Sequence, residues 1–402
     1  MPIDFLSVRD KIKEIGKGAP QKAKELKNLR DKARGYLQSH AEDLDTLSKK
    51  VEDAARQDFY LRCAKPVNEN LDEAFQLPAI PKKVSILAAD GSQVFPDRHA
   101  PVSFFLINVG AIVMRRGSGS DDPVKETIET KLFYGDDLYT SIGIISDNQI
   151  SFRRDQFERE ILADLAKEAT KPIITLTDGP LELWGGKSQT SSESESYRKA
   201  LESYKKSLQR LKTLDTATAG YVDKPRAAMV VQLLEVATAH VNDLKDIRKQ
   251  RPLRGVTDAD LYRPILEPGQ RSAVFAIQSE STPDYAGDLA LHFFYLNVGR
   301  KKKPWLARVE IPAWVVEDRG MLDNLHAVLV DQCNIMGTRA YPYLLHRSHE
   351  IAVVSREEKE QIIEMIQTEL LRQQVDFGEE SQKQAAKNLS GRRRFTLGTR
   401  RH

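Results

Sequence analysis

Apolar or neutral residues fall at Leu26, Leu29, Ala33, Leu37, His40, Leu44, Leu47 and Val51, in steps of three and four. That period predicts one amphipathic helix over 21–51, with Lys and Arg crowding its other face early on. Such a stripe docks on its own domain or pairs with a partner helix, and Gly35 weakens it as a clean coiled coil. The pattern then shortens to strand length. Segments 84–90, 102–109 and 111–116 read as strands, the first apolar on both faces and the next two as a hairpin turning near Gly110. A further strand is expected at 131–134. From Ser151 a helix presents Phe157, Ile161, Leu162 and Leu165, and it feeds an apolar run over 172–178.

The second half alternates in the same way. Tyr197, Leu201, Tyr204, Leu208 and Leu211 form one stripe of a long helix, a short strand follows Thr218, and 227–249 reads as another helix. Strands are expected at 273–278, 289–297 and 305–311, the last two alternating like a half-exposed antiparallel pair. A helix over 319–336 carries Leu322, Leu325, Val328, Leu329 and Cys333 inward, and a last helix spans 356–375. The implied fold class is α/β: a mixed sheet flanked by helices, with a long helical insertion at about 186–250. The implied regions are an N-terminal helical part (1–80), a main domain (81–375) and a basic tail (376–402) that reads as disordered. A Gly/Ser-rich piece over 185–196 opens the insertion.

Composition narrows the class. The 402 residues are 40% hydrophobic, enough for a sizeable core. Lys and Arg number 61 against 58 Asp and Glu, so an anionic partner would have to be met by local patches. Candidates are the run Gly299-Arg300-Lys301-Lys302-Lys303-Pro304 and the arginines from Arg392 onward. Two cysteines, Cys63 and Cys333, are too few for a disulfide framework or a Cys-based zinc site. The first residues lack a signal-peptide layout and no apolar run is long enough to span a bilayer, so a cytoplasmic protein is expected.

The candidate chemistry sits at strand ends. Val84-Ser85-Ile86-Leu87-Ala88-Ala89-Asp90-Gly91-Ser92 and Pro172-Ile173-Ile174-Thr175-Leu176-Thr177-Asp178-Gly179 each end an apolar run on Asp-Gly. Asp-Gly is a common turn, but two carboxylates emerging from neighbouring strands would repel each other unless a hard cation such as Mg²⁺ or Mn²⁺ lay between them. A helix between the two acids offers Glu158 and Glu160, which point to different faces, so only one can join a given site. His349 could ligate a metal or carry a proton, and Tyr341 could orient a phosphate or simply pack. There is no phosphate-binding P-loop, nucleophile elbow or Gly-x-Gly-x-x-Gly after a strand, which removes support for NTP hydrolysis, acyl transfer and dinucleotide binding.

Taken in order, Asp90-Gly91-Ser92, Arg154 with Glu158, Asp178-Gly179-Pro180-Leu181, and Tyr341-Pro342-Tyr343 with His349 resemble the NurA nuclease family, over about 84–355. Segments 219–226, 268–275 and 293–299 resemble its bacterial branch. The resemblance implies an RNase H-like core and manganese-dependent DNA cleavage, with 5′-to-3′ exonuclease and single-strand endonuclease activity at double-strand breaks. It also implies a homodimer and a HerA-type hexameric ATPase as partner. Carried over by position, Asp90, Glu158, Asp178 and His349 would be metal ligands and Tyr341 would join them in catalysis. Pro180 stands where the family often has Ser or Thr. The competing reading is a non-catalytic adaptor that keeps the nuclease fold to serve a DNA translocase.

Overall fold

The structure is a computed structural model and describes residues 4–97, 100, 102–117, 124–140, 143–183 and 191–374. The chain opens with helices α1 (Phe5–Ser39) and α2 (Leu44–Gln57) and the short strands β1 (Cys63–Pro66) and β2 (Ala74–Phe75). Three long strands follow, β3 (Val84–Val94), β4 (Phe105–Arg116) and β5 (Lys125–Phe133), then the small hairpin β6 (Tyr139–Thr140) and β7 (Gly143–Ile144). Helix α3 (Asp147–Ala166) leads to β8 (Ile173–Asp178), and α4 (Ser191–Thr213) to β9 (Thr216–Val222). Helices α5 (Met229–Thr238), α6 (Ile247–Gln250) and α7 (Asp258–Tyr262) precede β10 (Arg271–Ser272), β11 (Phe275–Gln278), β12 (Leu291–Asn297) and β13 (Leu306–Pro312). The described chain ends through α8 (Ala313–Glu317), α9 (Arg319–Ile335), α10 (Tyr343–Ala352) and α11 (Arg356–Arg372).

Two compact units emerge, each assembled from separated stretches of chain. The first comprises Met1–Lys82, Asp178–Glu182 and Ala217–Tyr343. Its strands run β1-β11-β12-β13-β9, all antiparallel, with β10 on β12 and β2 on β10. Helices α2 and α5 pack on β1 and on each other. The second unit comprises Lys83–Thr177, Leu183–Thr216 and Leu344–His402. Here β3, β4 and β5 form an antiparallel meander, and β8 joins β3 in parallel, with Ala89 opposite Thr177. A meander whose first strand gains a parallel neighbour through a helical crossover is the RNase H-like order, so the expected fold class, α/β with a mixed sheet flanked by helices, is borne out.

Several elements differ from the sequence reading. The stripe over 21–51 belongs to two helices: the chain turns at residues 40–43, but the buried phase continues from Ala33 and Leu37 in α1 to Leu47 and Val51 in α2. Residues 227–249 also break, because α5 ends at Thr238 and 3₁₀ turns follow. No turn occurs at Gly110. Strand β4 runs straight through it, and the hairpin is between β3 and β4, with Asp90 opposite Gly110. Strands β12 and β13 are an antiparallel pair but are buried on both faces. Their polar positions are satisfied internally: Arg308 pairs with Glu310 at 2.7 Å, and Tyr295 Oη–H donates to Asp258 at 2.7 Å. The stripe of α4 is as expected, with Tyr197, Leu201, Tyr204, Leu208 and Leu211 all buried. The basic tail at 376–402 and most of the Gly/Ser-rich piece lie outside the described residues.

Candidate active site

Strand β3 organises the second unit because its side chains alternate between two helical layers. Asp90, Ser92 and Val94 face one side. There Asp90 Oδ2 accepts a hydrogen bond from His349 Nδ1 of α10 at 2.7 Å. Ser92 Oγ–H and Asn108 Nδ2–H both donate to the carbonyl of Ala352, at 2.5 and 2.8 Å, satisfying an otherwise orphaned acceptor at the C-terminal end of α10. Val94, Phe104 and Leu106 pack against Val354, just before α11, and against Ile362, Ile363 and Ile366 on the apolar face of α11. Gly110 lets α10 approach: a Cβ there would lie 2.7 Å from Ala352 N and 2.8 Å from Ser348 O. An imidazole nitrogen facing a carboxylate carries the hydrogen, so His349 keeps Nε2 as its basic nitrogen.

Gly91 and Gln93 face α3. A Cβ on Gly91 would lie 2.5 Å from Arg154 Cγ and 2.9 Å from Glu158 Oε1, so the glycine lets Arg154 and the Glu158 carboxylate of α3 pack directly onto the strand beside Asp90. Arg154 is fixed by Asp155 Oδ1, at 2.6 Å from Nη2, and by Gln93 Oε1, at 3.1 Å from Nη1, and lies 3.4 Å from Glu158. Glu158 is 6% exposed. Burial first, then the charge of Asp155 and more weakly of Asp90, push its carboxyl up to about 8 against the pull of Arg154 and Arg159. Glu160 points elsewhere, its Oε1 accepting from Gln156 at 2.7 Å beside Ser203 of α4. Of the two glutamates left open in the sequence, only Glu158 lies on the strand side, because α3 sits between β3 and α4.

The other two candidates belong to the first unit. Asp178 ends β8 and is exposed, and Gly179 after it adopts a left-handed φ of 88°. In that unit Gly179 N–H donates to Tyr221 O at 2.8 Å, and Leu181 N–H donates to Glu310 Oε2 at 2.9 Å, which fixes the turn after the acid. Tyr341 is half-buried, its ring packed edge-on to Tyr221 with centroids 5.6 Å apart. The sequence reading missed Ser92, Gln93, Asn108 and Gly110. Only the polar Asn108 and the lone Gly110 inside an apolar strand gave any signal, and the glycine was read as a turn.

Among the described residues no three His, Cys, Asp or Glu side chains are gathered closely enough to hold a metal ion. The donor chemistry still suits one. Gly91 brings Glu158 onto the strand beside Asp90, and a buried carboxylate raised by neighbouring acids is a group that a divalent cation would re-ionise.

Residues 84–354 match the family model described as the NurA domain. The chain belongs to the NurA domain family. Membership implies a nuclease involved in DNA end processing and, in general terms, divalent metal use. No curated protein matches this chain. Among solved structures it is similar to Drosophila Piwi, at 9% identity and a TM-score of 0.28, over 66% of this chain and 29% of that one. It is also similar to LC9-RNase H1, a type 1 RNase H with the type 2 active-site motif, at 14% identity and a TM-score of 0.21, over 47% of this chain and 89% of that one. Among the described residues no helix is long and apolar enough to cross a membrane.

Proposed function

We propose that this NurA-family protein is a metal-dependent deoxyribonuclease that resects DNA ends, with Asp90, Glu158, Asp178 and His349 holding divalent ions and Tyr341 beside the scissile phosphate. The observation that carries the reading is the close approach at Gly91, which brings the raised carboxyl of Glu158 against the strand one residue past Asp90, itself tied to His349. Asp178, the acid of the second Asp-Gly, is included on the family resemblance. Mn²⁺ is the ion the family resemblance favours, and Mg²⁺ has the same preference for oxygen ligands. When bound, such an ion polarises the phosphate and lowers the pKa of the attacking water.

The chain's own residues supply the rest. Asp90 holds the His349 ring so that Nε2 is left as its ligand nitrogen, and Arg154, fixed by Asp155 and Gln93, offsets the carboxylate charge. A 5′-to-3′ exonuclease with single-strand endonuclease activity, acting in the cytoplasm as a homodimer with a HerA-type hexameric ATPase, is the assembly that the resemblance supports. A non-catalytic adaptor would have no use for a buried carboxyl held raised beside other acids.

The test is digestion of 5′- and 3′-labelled linear duplex in Mn²⁺, with and without a HerA-type ATPase. Asp90→Asn and Glu158→Gln should each lose roughly 10²-fold or more in rate, the scale on which removing one electrostatic stabiliser slows catalysis. A well-folded Asp90→Asn variant that digests DNA at the parent rate would remove this site from the chemistry.

A further inference from the structure

We propose that the free edge of β5 is the surface on which a second copy of this chain docks, antiparallel and centred on Thr130. The inference rests on the two-copy reading above and gives it a location. Strand β5 has β4 on one side and, among the described residues, no strand on the other. Its nine residues leave a row of backbone donors and acceptors facing outward, a template for another strand. Natural edges are often blunted by Pro, brevity or charged side chains; this one has no Pro and nine residues, and its charges are of both signs, Lys125, Glu126, Glu129 and Lys131, so that they can pair across two copies. Its even-numbered face instead leaves Ile128 and Leu132 60% and 45% exposed, flanked by Val124 and Tyr134.

The sequence of the strand is complementary to itself in one register. With Thr130 opposite Thr130 of the partner copy, Ile128 meets the partner's Leu132 and Leu132 meets the partner's Ile128, apolar against apolar on one face. On the other face Glu129 meets the partner's Lys131, twice by symmetry. Moving the centre by one residue either way puts Glu129 opposite itself or Lys131 opposite itself, and like charges directly opposed are unfavourable. Within one copy, Glu129 has no ion-pair partner among the described residues, while Lys131 Nζ rests over the Phe157 ring at 3.7 Å. The Glu129 charge is therefore left for the partner's Lys131, which would exchange its ring contact for the ion pair. The centre lies on the same face as the network that positions α10, since Thr130 Oγ1–H donates to Asn108 Oδ1 at 2.6 Å. Pairing at this edge would brace that network.

The test uses the full chain, sized by sedimentation velocity across micromolar concentrations, with Thr130→Cys oxidised under mild conditions. The native Cys63 and Cys333 are buried and do not compete. Opposed residues of antiparallel strands lie within disulfide reach, so Thr130→Cys should give a covalent dimer, whereas Ile128→Cys, whose symmetry mate lies four residues along the strand, should not. Glu129→Lys and Lys131→Glu should each weaken the dimer about tenfold, and the double variant should restore it. A dimer that forms without cross-linking at position 130 and ignores Glu129→Lys would overturn the edge assignment while leaving the two-copy reading intact. A chain monomeric at all concentrations would overturn both. Neither outcome depends on DNA cleavage, so failure of the nuclease reading remains separate.

Discussion

Glu158 sits where burial and two neighbouring acids outweigh two arginines, and this gives the metal-free protein a pH signature. Its folded carboxyl titrates near 8 and an unfolded glutamate near 4.3, so across that window the folded state holds a proton the unfolded chain has released. Stability from this group is complete below the unfolded value and is lost as pH rises through about 8. In chelator, Glu158→Gln keeps the shape without the charge. Its thermal midpoint should match the parent's at pH 4 and exceed it at pH 8.5, by roughly 2–4 °C for each kcal/mol relieved. Equal midpoints at pH 8.5 would mean the carboxylate is already compensated. Manganese should raise the parent's midpoint at that pH and leave the variant's nearly unchanged.

At the scale of elements, the placement of α10 depends on two positions of β4. Gly110→Ala would push a methyl into the backbone of Ala352 and Ser348, and neither atom is the end of a flexible side chain. The expected cost is about 1–3 kcal/mol, the usual range for overpacking, seen as a lower urea midpoint at unchanged m-value. Because α10 carries His349, DNA cleavage should fall as well, and a variant with parent stability would show that the helix shifts freely. Asn108→Ala tests the same contact from the polar side. It leaves the Ala352 carbonyl to Ser92 alone, so a loss of about 1 kcal/mol is expected in the same denaturation assay.

These positions mark where the sequence stopped being legible. Asp90 and Asp178 stood out because an acid at the end of an apolar run breaks a local pattern, and the stripe of α4 because burial follows helical period. Gly110 did not, since a glycine between two apolar runs looks the same whether it turns the chain or admits a helix some 240 residues downstream. Strands β12 and β13 misled for a related reason. Alternation reports polarity, and Arg308 and Glu310 are polar without being exposed, because each is the other's partner. The choice between Glu158 and Glu160 likewise needed the packing of α4, which lies outside any local window.

For the whole molecule, the path of the chain matters more than its domain count. The second unit is completed only by Leu344–His402, after the long run of Ala217–Tyr343 has built most of the first. A chain ending at Tyr343 therefore keeps β3, β4, β8 and α3 but loses α10 and α11 with His349. The face carrying Asp90, Ser92, Asn108 and Gly110 would then lie open, and Val94, Phe104 and Leu106 would lose the apolar cover of Ile362, Ile363 and Ile366. Hydrogen exchange should read this directly. Amides of β3 and β4 should lose protection in the truncated chain, because backbone opening is governed by local burial, while those of β12 and β13, buried within the first unit, should keep theirs. If β3 and β4 stayed as protected as in the full chain, the C-terminal helices would be dispensable to the frame that holds Asp90, and His349 would be attached to the site without shaping it.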